Sequence, residues 1–144
     1  MIKQQLEQHY LDTTYSVFIN KQQYDIKIGE PVPLDINKLL DKEKSAVILT
    51  AWNPRSQALP LSENKYRNNE LKSNLKNYTV FKADGQGEDL SWPAEESFFV
   101  LGIEKSEAEI LAVKYEQYAY VWIENKKSAF LVFTSIWQLL SNDS

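Results

Sequence analysis

Two stretches of this chain, Ala46-Val47-Ile48-Leu49-Thr50-Ala51 and Phe98-Phe99-Val100-Leu101-Gly102-Ile103, are apolar almost without interruption. A strand that shows one face to water alternates polar and apolar residues, whereas a strand apolar throughout must be covered on both faces. The chain therefore has to build a sheet with these two strands in its interior and with material packed on either side. Asn53-Pro54 is a turn signal that ends the first run.

The rest of the pattern falls into place around that pair. Ser62 is positioned to cap a helix running to about Asn77, and Thr79 to Ala83 reads as a short strand followed by the turn-rich Asp84-Gly85-Gln86-Gly87. Ser106 and Glu109 form a Ser-x-x-Glu capping box, and the helix behind it buries Ala108, Leu111, Ala112 and Tyr115. Tyr118 to Ile123 and Ala129 to Phe133 read as closing strands, and Ile136 to Leu140 as a terminal helix. Upstream, Ile2, Leu6 and Tyr10 mark a short helix over residues 2–10. Tyr15 to Ile19 and Tyr24 to Ile28 form a hairpin across Asn20-Lys21-Gln22-Gln23, which Pro31 and Pro33 terminate. Asp35 then caps a helix that carries Ile36, Leu39 and Leu40.

From residue 46 to 123 the order is strand, helix, strand, strand, helix, strand. This predicts an α+β fold: a single-domain, two-layer antiparallel sheet with a ferredoxin-like split β-α-β core over 46–123. The N-terminal hairpin and a C-terminal strand and helix are added to it, and residues 2–10 and 135–141 are extensions. In that topology the first and third strands are the central pair, which are the two apolar runs. The sheet face away from the two core helices needs a cover. The hairpin, the terminal helix or a homodimer partner would supply it.

Composition narrows the chemistry. At 144 residues and 43% hydrophobic, with 4 glycines and 5 prolines, the chain has the make-up of one folded domain. No run approaches the ~20 apolar residues that span a bilayer, and the polar N-terminus does not read as a signal peptide. The expected setting is the cytoplasm. Cysteine is absent, which excludes disulfides and thiol catalysis. With His9 as the sole histidine, a histidine-rich metal site is excluded, and so is a Ser-His-Asp triad unless His9 is its base. No metal or cofactor is implied. A net charge of −4 argues against general attraction to nucleic acid.

The unusual polar residues converge. On the helix from Ser62, Asn64, Asn68, Leu71, Leu75 and Tyr78 share one stripe, so two amides stand where the pattern calls for apolar groups. They either line a pocket or tie down the preceding loop through its backbone groups. Arg55 and Arg67, the chain's two arginines against fourteen lysines, both lie at this loop-helix junction. Their planar forks suit a carboxylate or phosphate, and equally an internal acid. Glu95 and Glu96 point in opposite directions on an extended chain, so at most one faces any given site. The split β-α-β arrangement brings Asn53, Arg55, Ser56, Asn64, Arg67, Asn68, Glu96 (or Glu95) and Gln117 to one edge. These are the candidate ligand-binding residues.

Thr50-Ala51-Trp52-Asn53-Pro54 with Ser56, the paired Asn64 and Asn68, Trp92-Pro93 with Glu96-Ser97-Phe98, Val100-Leu101-Gly102, and Tyr115 with Gln117, Ala119, Val121 and Trp122 resemble a bacterial family of unknown function, number 3293. The resemblance covers most of residues 13 to 133. It implies a small stand-alone bacterial protein and assigns no activity. The residues themselves point first to a module binding a small polar, anionic molecule or nucleotide. An enzyme with Glu95 or Glu96 as acid-base residue and arginines stabilising charge is the alternative, and a protein-interaction domain is a third.

Overall fold

In the computed structural model, which describes residues 3–140, one sheet runs through the chain. Its strands are β1 (Thr14–Ile19), β2 (Gln22–Ile26), β3 (Ser45–Leu49), β4 (Thr79–Gln86), β5 (Glu95–Leu101), β6 (Ala119–Glu124) and β7 (Phe130–Phe133). The helices are α1 (Lys3–Asp12), α2 (Leu34–Glu43), α3 (Leu61–Asn74), α4 (Lys105–Lys114) and α5 (Ser135–Gln138). Ile2 and Ser141, expected at the outer ends of the first and last helices, lie outside the described residues.

The strand order is β2-β1-β4-β5-β3-β6-β7, and every neighbouring pair is antiparallel. The two apolar runs are β3 and β5, hydrogen-bonded neighbours with Val47 opposite Val100 and Ile48 opposite Phe99. Both have neighbours on each side, as their two-faced apolarity demands.

Alternation divides these strands between two cores. Val47, Leu49, Val100, Tyr120 and Trp122 face α3 and α4 and pack on Leu71, Leu75, Ala108 and Ala112. Ala46, Ile48, Phe99, Leu101, Val121 and Ile123 face the other way, onto Ile36 and Leu40 of α2 and Val17, Ile19 and Ile26 of the hairpin. The expected two-layer arrangement therefore gains a third layer, because α2 packs on the face left bare by α3 and α4. That face is covered from within the chain, so its apolar residues make no demand for a partner. The terminal helix packs elsewhere: Ile136 and Trp137 join Leu6 and Tyr118 in a separate small cluster, with Trp137 stacked on Phe133 at 4.3 Å between centroids.

The hairpin covers its share of the second core by staying in the sheet, which curls into a half-barrel. The chain leaving β2 reaches the opposite edge, where the Gly29 amide donates to the Ala129 carbonyl at 2.8 Å and the Ala129 amide to Glu30 at 3.3 Å. Gly29 has φ +86°, a conformation costly for any residue with a Cβ.

Several local expectations shift by a few residues, for definite reasons. The hairpin loop has two residues instead of four: Asn20 and Lys21 take φ of 50° and 67°, and two left-handed residues match the strand twist. Pro33 and Pro60, each with φ −56° and ψ 149°, occupy the cap positions of α2 and α3 and set the helices off early. Asp35 and Ser62 are thus inside their helices and cap nothing. Likewise α4 starts after Glu104, so the Ser106–Glu109 capping box does not form. Glu109 instead accepts from the Ser135 amide at 3.0 Å. The segment Asp84-Gly85-Gln86, expected as a turn, continues β4, because β1 and β5 pair with it on both sides.

Candidate functional site

Among the described residues, the segment between β3 and α3 carries the densest run of left-handed backbone. Asn53, Arg55 and Ser56 have φ of 45°, 53° and 57°, so three non-glycine residues out of four are left-handed, around a 3-10 turn at Pro54–Ser56. Each such residue costs roughly 1 kcal/mol or more and persists only where its surroundings hold it.

The surroundings here are the polar residues of the edge. Asn68 accepts the Ala51 amide at 2.8 Å and donates to the Glu96 carbonyl at 2.8 Å. Asn64 accepts the Asn53 amide at 2.8 Å and donates to the Asn53 side-chain oxygen at 2.7 Å. That oxygen also takes the Leu59 amide at 3.1 Å. Arg67 spends Nε on the Ala51 carbonyl at 2.8 Å and Nη2 on the Tyr115 carbonyl at 2.6 Å. Gln117 donates to the Trp52 and Tyr115 carbonyls, both at 3.1 Å. Arg55 pairs with Glu116 through Nε at 2.9 Å, while its amide donates to the Glu116 carbonyl. The inward amides of α3, buried at 2% and 5% exposure, thus clamp the loop. Arg67 uses two nitrogens of its fork on peptide groups.

What the clamped loop presents is Asn53. Its Nδ2 donates to Glu95 Oε1 at 3.0 Å. Glu95 opens β5 on the concave side of the sheet, in the same cross-strand row as Tyr15: both are register partners of Gly85. A Cβ on Gly85 would lie 3.3 Å from the Tyr15 ring and 3.4 Å from Thr13, so the missing side chain spares that ring a tight contact over β4. Tyr10 of α1 is close enough to feel the Glu95 charge, and its hydroxyl interacts with Ser56. Tyr118 neighbours Tyr10 on one side and the Arg55 guanidinium on the other.

The electrostatics around Glu95 are those of a carboxyl without a counter-ion. Burial raises the Glu95 pKa above its ordinary value, and the Asn53 amide only partly offsets that. Among the described residues Glu95 has no ion-pair partner within salt-bridge distance. Burial also raises the Tyr10 and Tyr15 hydroxyls, Glu95 adding to both, while Ser56 and Thr13 respectively pull the other way. Both phenols therefore stay protonated at neutral pH. Among the described residues no cluster of three or more metal-ligating side chains occurs, and no helix is long and apolar enough to cross a membrane.

The structure gathers Asn53, Ser56, Asn64, Arg67, Asn68 and Gln117 around one loop, with Arg55 on its outer side. Glu96 contributes its carbonyl to that assembly. Its carboxylate points to the other sheet face and meets Lys65 at 3.1 Å. Glu95 is the acid that faces the loop. Tyr10, Tyr15 and Gly85 went unseen from sequence. Tyr15 shares the parity of Val17 and Ile19 and reads as ordinary core, and only the register across Gly85 brings it to Glu95.

The profile of the family described as "Protein of unknown function (DUF3293)" matches residues 49–120, from the end of β3 to the start of β6. The matched span holds the left-handed loop, all of its clamps, Gly85 and Glu95, whereas Tyr10 and Tyr15 precede it. No curated protein and no solved structure matches the chain. The matched segment is half of the sequence, and the chain belongs to the DUF3293 family of proteins of unknown function.

Proposed function

We infer that the protein binds a small polar anion, a carboxylate or a phosphate, at the polar cluster of Glu95, Tyr10, Tyr15, Asn53 and Ser56. The observation that carries this reading is a carboxyl group held in a partly enclosed site with no cation beside it. Its neighbours are an amide and hydroxyl groups. Structural use of such a group is expensive, and perturbed carboxyls concentrate at functional sites. Protonated Glu95 becomes a donor alongside the two phenols, Ser56 and Asn53, and together they can satisfy an anion with neutral hydrogen bonds. Arg55 stays half-exposed at the rim in its ion pair with Glu116, so the anion is held by neutral donors. In this reading Asn64, Arg67, Asn68 and Gln117 serve the ligand indirectly by holding the loop.

Calorimetric titration with a panel of organic acids and phosphates, at acidic and neutral pH, tests it. An anion taken up with a proton binds more tightly as pH falls. Glu95→Gln, which is a neutral donor at every pH, removes that dependence. Binding that weakens on acidification, or that ignores both Glu95→Gln and Tyr15→Phe, rules the cluster out.

A second reading, an acid-base enzyme, is favoured by the same raised carboxyl, since a proton donor works best with a pKa moved toward the operating pH. Turnover of a bound member of the panel, lost in Glu95→Gln while binding persists, separates catalysis from binding. For the fold, the order β4-β5-β3-β6 supports a ferredoxin-like split β-α-β core over 46–123, with β1, β2 and β7 added at its edges.

A further inference from the structure

On the opposite face of the same strands lies a groove of about 340 Å³, whose lining does not include Glu95. Its floor is a cross-strand row, Phe18 of β1, Lys82 of β4 and Phe98 of β5, each the register partner of the next. The curl of the sheet leaves this stretch without a helix above it, so Phe18 is 36% exposed. The wall is the side of α3, where Lys65, Asn69 and Lys72 recur at helical spacing along the groove. One end carries Asp84 and Glu96, with Glu96 tied to Lys65 at 3.1 Å. Lys72 and Lys82 have no ion-pair partner within salt-bridge distance among the described residues.

Three kinds of group are thus brought together in a fixed order: a pair of unpaired ammonium groups, exposed aromatic surface, and carboxylates. A simple organic anion uses only the first. A membrane or polyanion surface is repelled by the carboxylates, and a plain apolar ligand leaves the lysines idle. A nucleoside phosphate has complementary parts for all three: phosphate for the lysines, a planar base for the aromatic floor, and ribose or exocyclic amino donors for the acids. We propose that the groove bounded by Phe18, Lys72, Lys82, Asp84 and Phe98 is a nucleoside-phosphate site, separate from the Glu95 cluster.

Calorimetry with ADP, adenosine and inorganic pyrophosphate tests the assignment. ADP is expected to bind more tightly than either fragment, with an affinity that falls as salt is raised. The double variant Lys72→Ala/Lys82→Ala should weaken ADP roughly tenfold or more, through lost charge-assisted contacts. Phe18→Ala should weaken ADP roughly tenfold and leave pyrophosphate unchanged. Glu95→Gln should not alter ADP binding, which separates this site from the Glu95 cluster. No ADP binding at millimolar concentration overturns the proposal, as does ADP binding indifferent to the lysine pair. Pyrophosphate held as tightly as ADP reduces the groove to an anion patch. A single-stranded oligonucleotide bound far more tightly than ADP makes the occupant a strand, and either result rejects the nucleotide.

Discussion

Tyr15 and Glu95 lie two strands apart, yet each is the direct cross-strand partner of Gly85, and the absence of a side chain there gives the Tyr15 ring room, since a Cβ would lie 3.3 Å from it. Substitution there is therefore a probe of the cluster more than of the backbone, since Gly85 has no positive φ to lose. Gly85→Ala sets a methyl 3.3 Å from the Tyr15 ring and 3.4 Å from Thr13. The ring must tilt away. The expected cost is about 1–2 kcal/mol of overpacking, read by urea unfolding, with a displaced Tyr15 ring signal in the NMR spectrum of the folded protein. An unshifted ring signal means that Gly85 does not position it.

Glu95 also makes a prediction about pH. Its folded pKa is raised by burial, so over the interval between the unfolded and folded values the native state binds more protons than the unfolded one. The slope of stability against pH is then negative for this group: its contribution is fullest below the ordinary carboxylate pKa and is lost as pH rises through the folded value. Glu95→Gln keeps the acceptor for Asn53 and removes the charge. The variant should melt at a higher temperature than the native protein near pH 7, and the difference should close as pH falls toward about 4. A gap that widens on acidification refutes the assignment.

Asn68 is a structural amide by its contacts, and its replacement should behave accordingly. Asn68→Leu extends the apolar stripe of Leu71 and Leu75, but it strands the Ala51 amide and leaves the Glu96 carbonyl with the Thr50 hydroxyl alone. The expected loss is about 1–3 kcal/mol for each buried group left unsatisfied. Arg67→Lys keeps the charge while a single ammonium replaces a fork that reaches two carbonyls. It should cost about 1 kcal/mol or more in the same denaturation assay. Full stability in both variants would falsify the clamp.

The central pair gives the simplest test of the sheet. Leu49 and Val100 are buried on the α3/α4 side of adjacent strands. Leu49→Ala should lose about 2–5 kcal/mol, and Val100→Ala somewhat less, measured from urea midpoints. A change within error at either position contradicts its place in the core.

Sequence alone was sufficient for the features that depend on bulk burial. The runs at 46–51 and 98–103 had to be interior strands, and the stripe of Ala108, Leu111, Ala112 and Tyr115 had to face a core. The inward position of Asn64 and Asn68 was legible for the same reason, since a helix fixes the direction of residues four apart. The choice between Glu95 and Glu96 was not legible. Strand alternation says that they diverge, but with both faces of β5 apolar it cannot say which face carries the loop. Tyr10 and Tyr15 were hidden because their approach to Glu95 depends on the curl of the sheet and on register across Gly85, neither of which leaves a periodic trace. Helix starts moved because Pro33 and Pro60 impose their own φ before any side-chain cap can act.

The clamped loop has a further consequence, in time. The amides of Ala51, Asn53 and Leu59 are bonded to side chains, and those side chains belong to Asn68, Asn64 and Asn53. Gln117 closes the assembly on the Trp52 carbonyl from 65 residues further along the chain. Local bonds such as Ser56 to Asn53 close the turn. The clamps on Asn53, Ala51 and Trp52 come from α3 and from Gln117 just before β6, so the loop is fixed in its final shape only after α3 has docked and β6 has joined β3. In refolding, protection of these three amides against hydrogen exchange should arrive last, after the central strands are already closed to solvent. In the native protein they should exchange together, at a rate set by release of the clamp while the sheet stays intact.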